Sequence, residues 1–196
     1  MNGGYLATLI ISAVFSVAVT ALIAYQEIKL VMRQVKLYHS INLVELRTRK
    51  IVYWIFAGIL GFMIFYTVMQ MADGESPCVV AFHEKFGVTH TLTNIALMFP
   101  LIVMIAAETL IVSLGVSRNA VVDKGVYTNF AMLDWHQVRD YIIDEGKCIL
   151  VLSADRGTFS SLRHITTPFK VKKNDVEKLK FILNKNKNKF SDFEDA

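Results

Sequence analysis

The chain has 196 residues, 54% of them hydrophobic and 19% charged, with a mean hydropathy of +0.42. A soluble domain is about 45–50% apolar and about 25% charged, and the apolar excess here is not spread over one globule but falls in three blocks. The net charge of +4 then reads as juxtamembrane lysine and arginine rather than a nucleic-acid footprint, and two cysteines outside any C-x-x-C pair indicate neither a disulfide framework nor a zinc site.

The first apolar block, Tyr5 to Tyr25, carries no charge. It lacks the basic lead and the small-x-small cleavage site of a signal peptide, and reads as a permanent helix. Ser12, Ser16, Thr20 and Ala24 recur every fourth residue, a spacing that lets a neighbouring helix approach closely. The helix is expected to continue to about residue 36, with a break near His39-Ser40-Ile41-Asn42. Gln26 to Lys50 is basic, with Lys29, Arg33, Lys36, Arg47, Arg49 and Lys50 against Glu27 and Glu45. These six read either as a solvated loop or as a surface for anionic lipid head groups or a partner, at about 1 kcal/mol per basic residue. Residues 51–71 form the second spanning helix, with Tyr53, Trp54 and Tyr66 suited to the interfaces and Ala57/Gly61 as a small-xxx-small pair. Ala72 to Thr91 reads as a loop. Its Cys78, His83, Glu84 and His90 match no standard zinc spacing, so no metal is expected.

Leu92 to Val116 is the third spanning helix; at ~1.5 Å per residue it rises about 37 Å. Its one formal charge, Glu108, is expected to face the bundle interior against Ser16 and Thr20 of the first helix, with room left by Gly61. Six basic residues in the first loop against one, Lys85, in the second place the N-terminus outside and the C-terminal part in the cytoplasm.

After Arg118 the pattern changes to short β-branched and aromatic runs. Strands are expected at Val126–Phe130, Met132–Trp135, Val138–Ile143 and Cys148–Ser153, with one more within Phe159–Val171 near Pro168. Asn174 and Glu177 suggest a capping box opening a helix whose Val176, Leu179, Ile182 and Leu183 share one face. The fold class is therefore α+β: three transmembrane helices, then a small antiparallel sheet of four or five strands closed by a C-terminal helix. The expected domains are 1–118 in the membrane, 119–184 as the sheet domain, and 185–196 as a disordered tail.

Asp123-Lys124-Gly125-Val126-Tyr127, Leu133-Asp134-Trp135 with Val138, Thr167-Pro168-Phe169 and the helix from Asp175 together resemble the C-terminal part of bacterial pleckstrin-homology-like domains. The resemblance is to those of YcxB-like membrane proteins in particular and covers about a third of the chain. It implies a membrane-tethered module and not an enzyme. A complete domain of this type has about seven strands, so either the fold is truncated or the loop at Ile41–Leu46 supplies a strand.

No catalytic set stands out. Asp134 and His136 would share a side of a strand with Trp135 facing the core, but Cys148, Ser153 and Ser160 are not ordered as nucleophiles, and His164 reads as exposed. No dinucleotide or P-loop motif is present, and no cofactor is expected. Lys170, Lys172 and Lys173 form a second basic patch, a solvated rim or a lipid- or partner-binding surface. The expected function is a bacterial scaffold or regulatory membrane protein whose partners are the bilayer and another membrane or cytoplasmic protein. The alternative is an accessory subunit of a transporter, or an immunity protein against a membrane-active toxin.

Overall fold

The computed structural model describes residues 3–40, 42–48, 50–129, 132–155 and 164–189. The chain divides into two compact units, Met1–Lys29 with Lys50–Val116, and Leu30–Arg49 with Ser117–Ala196. The membrane region expected over 1–118 thus gives up residues 30–49 to the second unit.

The first unit is helical. It contains most of α1 (Gly3–Tyr38), α2 (Ile51–Ala72), α3 (Pro77–Phe86) and α4 (His90–Val116). Helices α1, α2 and α4 are each long and apolar enough to cross a membrane. The stretch expected to be a loop holds α3. Ser76 accepts from the Val79 N–H as its N-cap, Pro77 fills the first turn, and Gly87 ends it in the left-handed region at φ 63°. Asp73 to Ser76 forms a turn, with Ser76 N donating to Asp73 O at 3.2 Å, and Ser76 then also opens the helix. α2 and α4 are antiparallel: Trp54 lies against Gly115, Gly61 against Glu108, and the Met71 carbonyl accepts from Asn94. α1 and α4 run parallel, tied at one end by Tyr5 Oη donating to Leu92 O at 2.6 Å and at the other by Ser113 Oγ donating to Glu27 at 3.2 Å.

The second unit is a seven-stranded antiparallel sheet in the order β4-β3-β2-β1-β7-β6-β5. The strands are β1 (Asn42–Arg47), β2 (Asn119–Val122), β3 (Gly125–Tyr127), β4 (Met132–Asp134), β5 (Val138–Asp144), β6 (Ile149–Asp155) and β7 (His164–Val171). Of the two alternatives left open by the strand count, a strand from the first loop is the one found. β1 pairs with β2 on one side and β7 on the other, so it joins two three-stranded meanders. β2 carries no strand pattern of its own because Asn119–Val122 is short and continuous with the apolar end of α4; all four of its residues are buried. Pro168 lies inside β7, in the part that pairs with β6 alone, since the ladder to β1 reaches only Lys170 and Val171.

Helix α5 (Val176–Asn186) closes one face of the sheet. Its Val176, Leu179, Ile182 and Leu183 join a core with Val44, Leu46, Trp135, Leu150 and Phe169, and Leu179 is fully buried. The capping box is not formed: Lys173–Asp175 is a 3-10 turn, and Asp175 caps the helix without a side-chain hydrogen bond. Helical structure also continues to Lys189, so the tail expected from 185 is ordered that far, and residues 190–196 lie outside the described residues. The other face of β2 and β3 buries Ala120, Val122 and Tyr127 against Leu37 from the last turns of α1. This is why β2 has no polar alternation: it is covered on both sides.

Candidate functional site

The sheet carries two clefts with charged residues in their lining. The first, of about 520 Å³, is lined by Arg47, Thr48, Ile149, Pro168, Phe169 and Lys170. It follows from strand register. Arg47 stands opposite Lys170, and Lys170 opposite Ile149, so the three form a row across β1, β7 and β6. Alternation sends their neighbours Leu46, Phe169, Val171 and Leu150 into the core, and leaves Arg47 and Lys170 exposed on the outer face. Among the described residues neither cation has an ion-pair or hydrogen-bond partner. Thr48 Oγ1 is buried and also has no hydrogen-bond partner.

The second cleft, of about 310 Å³, is lined by Lys36, His39, Ser40, Lys124, Tyr127, Met132 and Asp134. Burial first, then the charges of Asp134 and Asp123, raise the Tyr127 hydroxyl above its ordinary pKa of 10.0. His39 Nδ1 and Ser40 Oγ bond back to carbonyls of α1, at 2.8 Å to Val35 and 2.7 Å to Lys36, and tie off its end.

The basic residues singled out from the sequence have different surroundings. Lys29 lies over the Tyr25 ring at 4.3 Å. Arg33 donates to the carbonyls of Thr128 and Asn129, and Gln34 beside it exchanges two 3.0 Å hydrogen bonds with the Arg118 backbone. Arg33 therefore holds the loop after β3 rather than standing free for a lipid. Lys36 lines the second cleft and Arg47 and Lys170 the first. Arg49 lies outside the described residues. Lys50 precedes α2, its carbonyl accepting from Tyr53 N at 3.0 Å. Lys172 pairs with Glu45 at 3.4 Å, and Lys173 is exposed in the 3-10 turn before α5.

Glu108 meets part of its expectation. A methyl group added at Gly61 would lie 3.9 Å from Glu108 Oε1, so the carboxylate does face α2. Ser16 is buried. The hydrogen bond expected from Thr20 is absent: Thr20 Oγ1 and Glu108 Oε2 are both buried without a partner. The contacts of Tyr5 with Leu92 and Glu27 with Ser113 keep separations of 87 and 86 along the chain, which puts Thr20 level with residues 106 and 107. The two unpaired oxygens are thus close in depth. Glu27, read from the sequence only as a loop charge, accepts from Thr109 and Ser113 of α4.

The catalytic candidates are not brought together. Trp135–Gln137 is a 3-10 turn rather than strand, so Asp134 and His136 do not alternate along one, and His136 is exposed. Trp135 is buried as expected, its indole N–H donating to Asp123 O at 2.8 Å. Cys148 is not the first residue of a buried strand but a half-buried turn residue at φ 52°. Ser160 and the side chain of His164 lie outside the described residues. His83 and His90 bond to the carbonyls of Val88 and Met71.

Residues 117–188 are similar to a family described as a domain of unknown function (DUF5673). That segment holds six of the seven strands and α5 but not β1, the strand that joins the two meanders. No curated protein and no solved structure matches the chain.

Proposed function

We propose that the chain is a non-enzymatic bacterial integral membrane protein whose sheet unit is a cytoplasmic pleckstrin-homology-like binding module, acting as a scaffold or regulator at the membrane surface. The observation that carries this reading is the origin of β1. The central strand comes from the segment between two helices able to span a membrane, so the chain passes between the units three times, at Lys29–Leu30, Arg49–Lys50 and Val116–Ser117. Three crossings tether such a module covalently to the helical unit. Seven antiparallel strands closed by a C-terminal helix support the pleckstrin-homology-like reading, and six basic residues against one support N-terminus outside and C-terminus inside.

The test is impermeant maleimide labelling in intact cells. Cys78, between α2 and α4, is expected to react, and a cysteine placed at Lys187 is not. The reverse pattern sinks the placement. A second reading, an accessory subunit of a transporter or an immunity protein against a membrane-active toxin, draws its support from Glu108 and Thr20, whose buried polar atoms await a partner. Stoichiometric co-purification with a transporter or toxin from detergent would favour it.

A further inference from the structure

Two successive charge pairs of opposite design lie along β1, one just past the end of β7 and one within the β1–β7 ladder. In the first, Glu45 meets Lys172 at 3.4 Å and the charges cancel. Two residues along each strand, Arg47 stands directly opposite Lys170. Directly opposed residues have Cβ atoms about 4.5–5.5 Å apart, and like charges there repel. Among the described residues no carboxylate relieves the second pair. Next along the chain, Thr48 adds a buried hydroxyl with no hydrogen-bond partner. Two unneutralised cations and one unpaired hydroxyl around a cleft are the donor set of an oxyanion site, with the arginine able to grip two oxygens at once.

The rest of the lining narrows the ligand. Ile149, Pro168 and Phe169 make the remainder of the cleft apolar. A small hydrated anion gains nothing from such walls, whereas an amphiphile with a phosphate beside a glycerol or acyl segment uses both halves. Three residues, Thr48 to Lys50, separate Arg47 from the start of α2, a helix long and apolar enough to span a membrane. At no more than about 3.6 Å per extended residue, the chain itself tethers the site close to a spanning segment.

We propose that this cleft binds the phosphate of an anionic phospholipid, held by Arg47, Lys170 and Thr48, with the adjoining apolar part of the lipid on Ile149 and Pro168. The proposal deepens the reading of the sheet unit as a binding module at the membrane surface and names its ligand class.

The experiment uses the full chain in a non-ionic detergent, titrated separately with dihexanoyl-phosphatidylglycerol, dihexanoyl-phosphatidylcholine and inorganic phosphate, and followed by thermophoresis and by melting temperature. Saturable binding of the anionic lipid at least tenfold tighter than the zwitterionic one is expected, with inorganic phosphate far weaker than either effect on the wild type. Arg47→Gln/Lys170→Gln is expected to lose at least tenfold in affinity for the anionic lipid, and Thr48→Val about three- to tenfold. Without lipid, the double variant should melt no lower than wild type, because it removes a repulsive pair; Arg47→Gln alone serves as the second variant if the double one does not fold. Lys173→Gln, outside the cleft, should bind like wild type. Equal binding of the two lipids, or a double variant that binds like wild type, overturns the proposal. So does a loss from Lys173→Gln as large as that of the double variant, which would mean diffuse surface charge. Inorganic phosphate binding as tightly as the anionic lipid would overturn the lipid assignment in favour of a free-phosphate site. None of these outcomes bears on the maleimide labelling, so the inference can fail while the placement of the module stands.

Discussion

In the sheet unit the large apolar side chains point inward: Leu46 is 3% exposed, Leu150 and Leu179 0%. In the helical unit they point outward: Phe15 is 65% exposed and Phe62 68%. The same residue types are sorted in opposite senses because the surroundings differ. Water drives apolar groups into the sheet core, whereas lipid tails are as apolar as leucine and leave helix pairing to small residues and polar contacts. The helical unit uses both devices, Gly61 and Gly115 against α4 or from it, and Glu27, Tyr5 and Asn94 as hydrogen-bonding groups. Its unpaired oxygens on Thr20 and Glu108 are the departure from that scheme.

The largest break in the comparison should come from truncating the inward side chains. Leu46→Ala in β1 and Leu179→Ala in α5 each remove a fully packed group and should cost about 2–5 kcal/mol. Phe62→Ala in α2 removes a group exposed to the surroundings and should change stability by less than about 0.5 kcal/mol. Thermal melts of the full chain in detergent check all three. A Leu46→Ala loss as small as that of Phe62→Ala would mean that β1 does not contribute to the core.

Gly125→Ala should come next. A methyl group there would overlap the Leu133 carbonyl oxygen across the β3–β4 ladder, so the hairpin must open, at about 1–3 kcal/mol. Melting compared with Gly3→Ala, where nothing lies within 4 Å, isolates the clash.

Glu108 sharpens the comparison from the helical side. A buried polar oxygen without a partner carries a penalty of about 1–3 kcal/mol, so Glu108→Leu should melt no lower than wild type. A clear loss in Glu108→Leu that Glu108→Gln does not share would show that the side chain fixes helix packing through a hydrogen bond.

The smallest effect expected is alkaline. The Tyr127 pKa is raised in the fold, chiefly by burial, so the folded state holds the proton more tightly than the unfolded one. That contribution is fully present below pH 10 and is lost as pH rises through the folded value. The Lys180 pKa is also raised, by hydrogen bonds to Glu145 and Glu177, and its contribution disappears in the same window. Melting temperature should therefore fall above pH 10, and Tyr127→Phe should fall less steeply than wild type. Parallel curves would show that Tyr127 titrates as it does in the unfolded chain.

Much of this arrangement is readable in the residues. Three long apolar runs declare α1, α2 and α4, and the 3.6-residue spacing of Val176, Leu179, Ile182 and Leu183 declares α5 and the face it buries. What local pattern could not convey is pairing. Asn42–Arg47 sits in a basic segment between two helices, and only its partners, more than seventy residues later, make it the central strand. β2 has no alternation to read, because Leu37 covers its second face. Arg47 and Lys170 were each visible as charges, but their opposition, and hence the cleft, depends on register across the ladder. Arg33 looked the same in sequence and is spent on two loop carbonyls.

The central claim is that a strand from the first inter-helix segment joins the two halves of the sheet, and disulfide trapping tests it most directly. In a full-length chain with Cys78 and Cys148 replaced by serine, Arg47→Cys/Lys170→Cys places thiols on directly opposed residues, whose Cα separation of about 4.5–5.5 Å lies within disulfide range. Mild oxidation in isolated membranes should yield the linked β1–β7 peptide by mass spectrometry in most molecules. The pair Arg47→Cys/Ser153→Cys, on strands that are not neighbours, should yield little. Equal yields from the two pairs, or no linked peptide from the first, would contradict the account.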